Sequence, residues 1–240
     1  MTTQNHTEEN WQDRTILLLG KDRVAKLANS SVLIVGLGGV GSFCVEFLCR
    51  AGIGKIAICD YDRIRPSNRN RQIPSLISTE GKQKTEVMKE RLLEINPELF
   101  LKVFQLKFNE HSSNEILSED YNYVVDAIDT LSPKVFLIEN CVRRKIRIVS
   151  SMGAGEKISP SLVRCCDIEE SFQCPLARLV RKRLHKFGIR GGVKVVFSPE
   201  KNIIPYKKIK AGSPIGSISY MPAIFAVYCA STVITDIIQG

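Results

Sequence analysis

Gly36, Gly38, Gly39 and Gly41 fall within six residues of the segment "VLIVGLGGVGS". They stand where an apolar run gives way to helix-patterned residues. A turn of this kind lets the backbone approach a phosphate closely and aims N–H groups and a helix N-terminus at the anion. Asp60 closes the next apolar run, "KIAICD", and is placed to accept hydrogen bonds from ribose hydroxyls. On those residues alone an NAD-dependent dehydrogenase is the default. The stretch "DYDRIRPSNRNRQ" argues against it, because Arg63, Arg65, Arg69 and Arg71 lie within nine residues just beyond the ribose acid. A dehydrogenase has no use for such a cluster, and Asp60 would repel the second ribose phosphate that one arginine could hold. Arg71 with Lys84 instead offers two fixed positive charges to a longer phosphate chain. Asp129, ending "VVDAID", and Asp62 supply hard oxygen ligands for the Mg²⁺ that rides on such a chain. The set describes a nucleoside triphosphate site without a P-loop, with the dehydrogenase kept as the alternative.

These residues need a scaffold of alternating strands and helices. Residues 14–28 carry apolar positions at helical spacing and predict one helix ahead of the core. "SVLIV" and "KIAIC" read as buried strands flanking a helix that runs on from the glycines. A helix over residues 80–95 stops before Pro97, since a residue preceding proline disfavours helix. "LFLKVFQL", "YNYVVDAID" and "IRIVSS" are further strands, with a short helix around 112–118 and another entered through Pro133. The alternation predicts an α/β fold, a Rossmann-like doubly wound and mainly parallel sheet preceded by an N-terminal helix. After residue 151 the pattern changes to two strands, "SLVRCCDI" and "VKVVFSP", around a basic helix at 174–187, so this portion continues the sheet. The tail "MPAIFAVYCASTVITDII" reads as a core helix, its apolar stretch after Pro222 being short of the ~20 residues of a membrane span.

The chain of 240 residues, 44% hydrophobic and 25% charged, suits one large domain. We expect a single unit over 1–240, with an ATP-binding part at 14–151 and a substrate-binding part at 152–240. The polar, acidic start "MTTQNHTEENWQD" is neither a secretory signal nor a transit peptide. Eight cysteines include no CxxC pair, so no zinc is expected and the thiols read as those of a reduced, cytoplasmic protein. Charge is uneven. Residues 1–140 hold 17 Lys+Arg against 19 Asp+Glu, whereas residues 141–210 hold 17 against 5. So basic a block points to a polyanion, nucleic acid first and the surface of an acidic membrane, contacted peripherally, second.

"VLIVGLGGVGS", "ICDYD", "NRNRQ", "GKQKTEVMKERLLEINP" and "DAID" occur in the order and spacing of the ubiquitin-activating-enzyme-like (ThiF-type) adenylating family, which the first 150 residues closely resemble. The resemblance implies ATP as substrate and attack of a carboxylate on its α-phosphate, with pyrophosphate leaving. It also implies roles for single residues. Gly39 and Gly41 lie against the phosphates, Asp60 holds the ribose, and Asn68, Asn70 and Arg71 contact the triphosphate. Lys84 stabilises charge on the leaving pyrophosphate and Asp129 holds Mg²⁺. Arg14 matches an arginine that reaches into the partner subunit's site, which implies a homodimer; an exposed residue at a helix start is the plain alternative. No general base is required, because a carboxylate is already ionised at neutral pH.

The second half, with "GAGEKISPSLVRCCDIEESFQCPLARLVRKRLHKFGI" and "GSISYMPAIFAVYCAS", resembles the tRNA threonylcarbamoyladenosine dehydratases. That resemblance implies a threonyl carboxylate on the modified adenosine at tRNA position 37, closed into a ring after activation. Arg178, Arg181, Lys182, Arg183 and Lys186 then become tRNA contacts, with Lys207, Lys208 and Lys210 as a second cationic patch. A sulfur-relay protein is a further candidate partner. The alternative is an activating enzyme for a ubiquitin-like sulfur-carrier protein, in which Cys174 would be the transferring thiol. A scaffold without activity is a third reading, against which Arg71, Lys84 and Asp129 all speak.

Overall fold

The structure, a computed structural model, describes residues 9–201 and 215–240. Its centre is a seven-stranded sheet of order β3-β2-β1-β4-β5-β7-β6. The strands are β1 (Ser31–Val35), β2 (Lys55–Cys59), β3 (Phe100–Phe104), β4 (Tyr123–Asp126), β5 (Arg147–Ser151), β6 (Arg164–Asp167) and β7 (Lys194–Phe197). All pairings are parallel except that of β6 with β7, which is antiparallel. A parallel sheet is covered on both faces, so its strands must be apolar throughout. β1 shows this: Val32 and Ile34 enter one core cluster while Leu33 and Val35 enter the other.

The helices divide between those faces. On one lie α2 (Lys21–Ala28), α3 (Gly41–Arg50), α4 (Lys84–Ile95) and α8 (Tyr220–Gln239). On the other lie α5 (Ser113–Ile116), α6 (Leu131–Arg143) and α7 (Pro175–Lys186). α8 has 20 residues and is apolar enough to cross a membrane by length and composition. Here it buries Met221, Phe225, Ala226, Cys229, Ala230 and Val233 against α3 and the sheet, so it is a core helix. Burying a side chain of the size of Phe225 contributes about 1.5–3 kcal/mol.

Two expectations about helices are corrected. The helix expected over 14–28 is two, α1 (Asp13–Leu19) and α2, because Gly20 adopts φ 82°, ψ 157° between them. The helix expected from residue 80 begins only at Lys84. A 3₁₀ turn at Ile77–Thr79 and a left-handed Gly81 (φ 81°) occupy the residues before it. The later start places Lys84 in the first turn of α4, next to the end of β2.

Candidate active site

In a doubly wound sheet the ligand crevice opens at the C-terminal strand ends where strand order reverses. Here that point lies between β1 and β4. A Cβ at Gly36, which has φ 95°, would stand 2.7 Å from the carbonyl oxygen of Ala127 just after β4. At Gly41, the first residue of α3, a Cβ would stand 1.7 Å from the Gly36 oxygen. These two positions admit only glycine because the turn folds onto itself and onto the β4 exit. Gly38 differs: an added Cβ would meet nothing nearer than the Gln72 amide nitrogen at 3.9 Å. Its neighbourhood is open space, part of a cavity of about 730 Å³ above the strand ends.

Asp60 follows β2 and is only 8% exposed. Leu37 N–H donates to its Oδ2 (2.6 Å) and Asp62 N–H to its Oδ1 (2.7 Å), so the carboxylate is locked in one orientation. Burial pushes its pKa up, opposed by the charge of Lys84 and by those two N–H groups. Lys84 Nζ donates to Asp62 Oδ2 at 2.9 Å and lies 3.9 Å from Asp60 Oδ2. Arg71 is propped by Ser67 O (2.9 Å) and Asn70 Oδ1 (2.7 Å). Asn70 in turn donates to Ser217 O, tying this loop to the segment before α8. Asp129, past β4, is exposed and makes no hydrogen bond among the described residues.

The cavity wall therefore brings together Gly36, Gly38, Gly39, Asp60, Asp62, Asn68, Arg71, Lys84 and Asp129. Gly41 lies behind the turn and Asn70 behind Arg71. Arg14 is exposed on α1 and does not line its own chain's cavity; Leu17 and Leu18 beside it are 82% and 79% exposed. The far wall is the start of α7, with Cys174, Pro175, Leu176 and Leu179. Cys174 caps that helix, its Sγ accepting from Ala177 N–H at 3.5 Å. Burial pushes the thiols of Cys59 and Cys141 up to about 12, which makes them poor nucleophiles.

On α7 the basic residues separate. Arg178, Lys182 and Lys186 are exposed and make no hydrogen bond or ion pair among the described residues. Arg181 turns inward and donates to Ile168 O, Ser171 O and Ser171 Oγ, fastening the helix to the preceding turn. Arg183 donates to Ser132 Oγ on α6. Lys207, Lys208 and Lys210 lie outside the described residues.

Three features in or beneath the wall carry no motif of their own. Lys157, 3% exposed, bonds to Glu200 O, and burial lowers its pKa against the charges of Cys174, Glu200 and Glu156. Glu156 adopts φ 58° and exchanges two bonds with Gly216, its Oε1 and its N–H both engaged. Lys134, fully buried on α6, holds Asp126 Oδ2 (2.7 Å), Ser150 Oγ and Ser151 O beneath the Asp129 loop.

Known proteins resemble this chain in sequence and fold. The chain is 34% identical to the tRNA threonylcarbamoyladenosine dehydratase of Bacillus subtilis, with 94% of each chain covered. It superposes on Escherichia coli TcdA, a tRNA N6-threonylcarbamoyladenosine dehydratase solved in complex with ATP, with a TM-score of 0.88 and 35% identity. That match covers 94% of this chain and 93% of the other. An adenylyltransferase and sulfurtransferase, MOCS3 of Drosophila virilis, is 35% identical but over only 57% of this chain and 30% of its own. The family profile described as ThiF matches residues 12–240, taking in the glycine turn, Asp60 and the basic helix alike. By that match, and by relatives alike along nearly their whole length, the chain belongs to the ThiF family.

Proposed function

We propose that the protein is an ATP-dependent tRNA threonylcarbamoyladenosine dehydratase. The observation that carries this reading is the join between cavity and basic helix. The first turn of α7 is a wall of the nucleotide cavity, and its later turns display Arg178, Lys182 and Lys186 outward. A macromolecular polyanion bound along α7 would deliver its modified base to the cavity. The similarity to the B. subtilis and E. coli dehydratases supports the same substrate.

The chemistry is adenylation followed by ring closure. The threonyl carboxylate attacks the α-phosphate of ATP, and the bond to pyrophosphate breaks. The same side chain then closes on the activated carbonyl with loss of a proton, AMP leaves as its acyl–oxygen bond breaks, and the net change is loss of one water. In the first step nucleophile and leaving group are both anionic, so the protein's task is orientation and charge compensation. Asp60 holds the ribose, the N–H groups of the glycine turn face the phosphates, and Arg71 and Lys84 take up charge on the departing pyrophosphate. Mg²⁺ would further neutralise the triphosphate. Asp129 fits it, being a carboxylate at the cavity with no hydrogen bond among the described residues. The described residues hold no group of three or more His, Cys, Asp or Glu side chains that could hold a metal ion.

Two further parts belong to this reading. Residues 1–240 act as one adenylation domain, with 14–151 serving the nucleotide and 152–240 the tRNA. Two copies associate through the surface around Leu17 and Leu18, so that Arg14 of each reaches the other's triphosphate. Those two leucines are exposed on a helix that buries none of its residues, which favours a covered position in an assembly.

The test is to incubate the protein with tRNA bearing threonylcarbamoyladenosine, ATP and Mg²⁺, digest to nucleosides, and weigh the product. Loss of one water only when ATP is present is expected. A second reading, activation of a sulfur-carrier protein, draws on Cys174, a residue of the cavity wall. It would prevail if pyrophosphate appeared only on adding a carrier with a Gly-Gly tail.

A further inference from the structure

Gln72 follows Arg71 and is 8% exposed in the cavity wall. Its Oε1 is buried with no hydrogen-bond partner, and its side chain makes no hydrogen bond among the described residues. The orphaned Oε1 is a cost to the folded chain with no partner to offset it, whereas Nε2 is accessible and free to donate into the cavity. Its main chain is well anchored: Gln72 N–H donates to Asn68 O, and Gln72 O accepts from Ser75 N–H. The Arg71 oxygen beside it sits 3.2 Å from where a Gly39 Cβ would be. The main chain that carries the amide is thus anchored beside the glycine turn.

The turn has been left bare opposite this amide. Gly38 is the one residue of the turn lining the cavity whose added Cβ would clash with nothing, and Gln72 Nε2 is the single atom within 4 Å of it. Leu37, the residue before, binds the ribose acid Asp60. With a ribose on Asp60, the phosphate attached directly to it would lie over Gly38, between the turn and Gln72.

We infer that Gln72 is a further substrate-contacting residue: its Nε2–H₂ donates to a non-bridging oxygen of the α-phosphate as the carboxylate attacks it. This rests on the adenylation reading above. Charge builds on those oxygens as the attack proceeds, so a fixed neutral donor helps more in the transition state than in ATP binding. An amide also suits the place better than another cation, because Arg71 and Lys84 already serve the leaving pyrophosphate and the attacking group is itself anionic.

Gln72→Met keeps the length and removes both polar atoms; Gln72→Glu keeps the shape and puts a negative charge beside the phosphate. Removing such a donor commonly lowers turnover by about 100-fold. ATP-dependent AMP release with modified tRNA should fall by that order in Gln72→Met and further in Gln72→Glu, while the KM for ATP stays within about twofold of wild type in Gln72→Met. Gln72→Met should also melt no lower than wild type, because it deletes an unsatisfied carbonyl. Should that variant not fold, Gly38→Ala puts a methyl where the phosphate would lie with no protein clash, and should depress AMP release likewise. Turnover within twofold of wild type in Gln72→Met and Gln72→Glu would overturn the inference and leave the adenylation reading standing. Absence of ATP-dependent AMP release from the wild-type protein itself would overturn both.

Discussion

Two buried lysines occupy neighbouring corners of the sheet, and their surroundings make them different instruments. Lys134 is fully buried and its ammonium is closed in by Asp126, Ser150 and Ser151, with Asp126 itself inaccessible. Lys84 is almost as deep, at 4% exposure, yet its partner Asp62 has a side chain 44% exposed and the ammonium lies in the cavity wall. A cation surrounded on all sides shapes the protein. One with donors left over at a cavity is held ready for a ligand. Burial alone does not separate the two; the completeness of the partner set does.

The largest expected effect is at the closed corner. Lys134→Ala leaves Asp126 charged and uncompensated in the core, and should cost about 3–5 kcal/mol in urea unfolding. At the open corner, Lys84→Ala should lower turnover by about 100-fold or more with a smaller loss of stability, and Arg71→Ala should do the same. Equal stability losses at Lys84 and Lys134, or normal turnover without Lys84, would erase the distinction. α7 repeats the contrast in milder form. Arg181→Ala gives up its hold on Ile168 and Ser171 and should cost about 1–3 kcal/mol. Lys182→Ala should change stability by less than about 0.5 kcal/mol. It should instead reduce the slope of log affinity for tRNA against log salt by about 1, measured by filter binding over a salt series. A salt slope untouched by Lys182→Ala and Arg178→Ala together would remove α7 from the tRNA surface.

The readable parts of the site are those whose chemistry is local in sequence. Each of Gly36, Asp60, Lys84 and Asp129 sits at or near a strand or helix end, where the change of hydrophobic pattern also marks the place. Gly20 was harder to weigh, since an isolated glycine in a helical pattern is usually tolerated and nothing local requires the break. Lys134 looks like an ordinary polar residue of an amphipathic helix, because its partners lie 8 to 17 positions away on two strands. The clamp between Glu156 and Gly216 spans 60 positions and leaves no periodicity to detect. Gln72 was in plain view inside "NRNRQ", but a missing hydrogen bond is visible only once the surroundings are built. Charge counts overstated α7 for a similar reason: they register Arg181 and Lys182 alike, though one points into the protein and the other out.

The antiparallel strand β6 has a bearing on how the chain is made. It precedes β7 in sequence but lies outside it, and among the described residues β7 is its sole partner in the sheet. During synthesis β6 therefore emerges with nowhere to dock, and β5 waits with an unfilled edge through more than forty residues of chain until β7 slides between them. An unfilled edge on an apolar parallel strand is an invitation to pair with another chain. A chain cut off between β5 and β7 would hold five of the seven strands in the sheet with the β5 edge open, so truncated chains of that length are expected to aggregate more readily than the full chain.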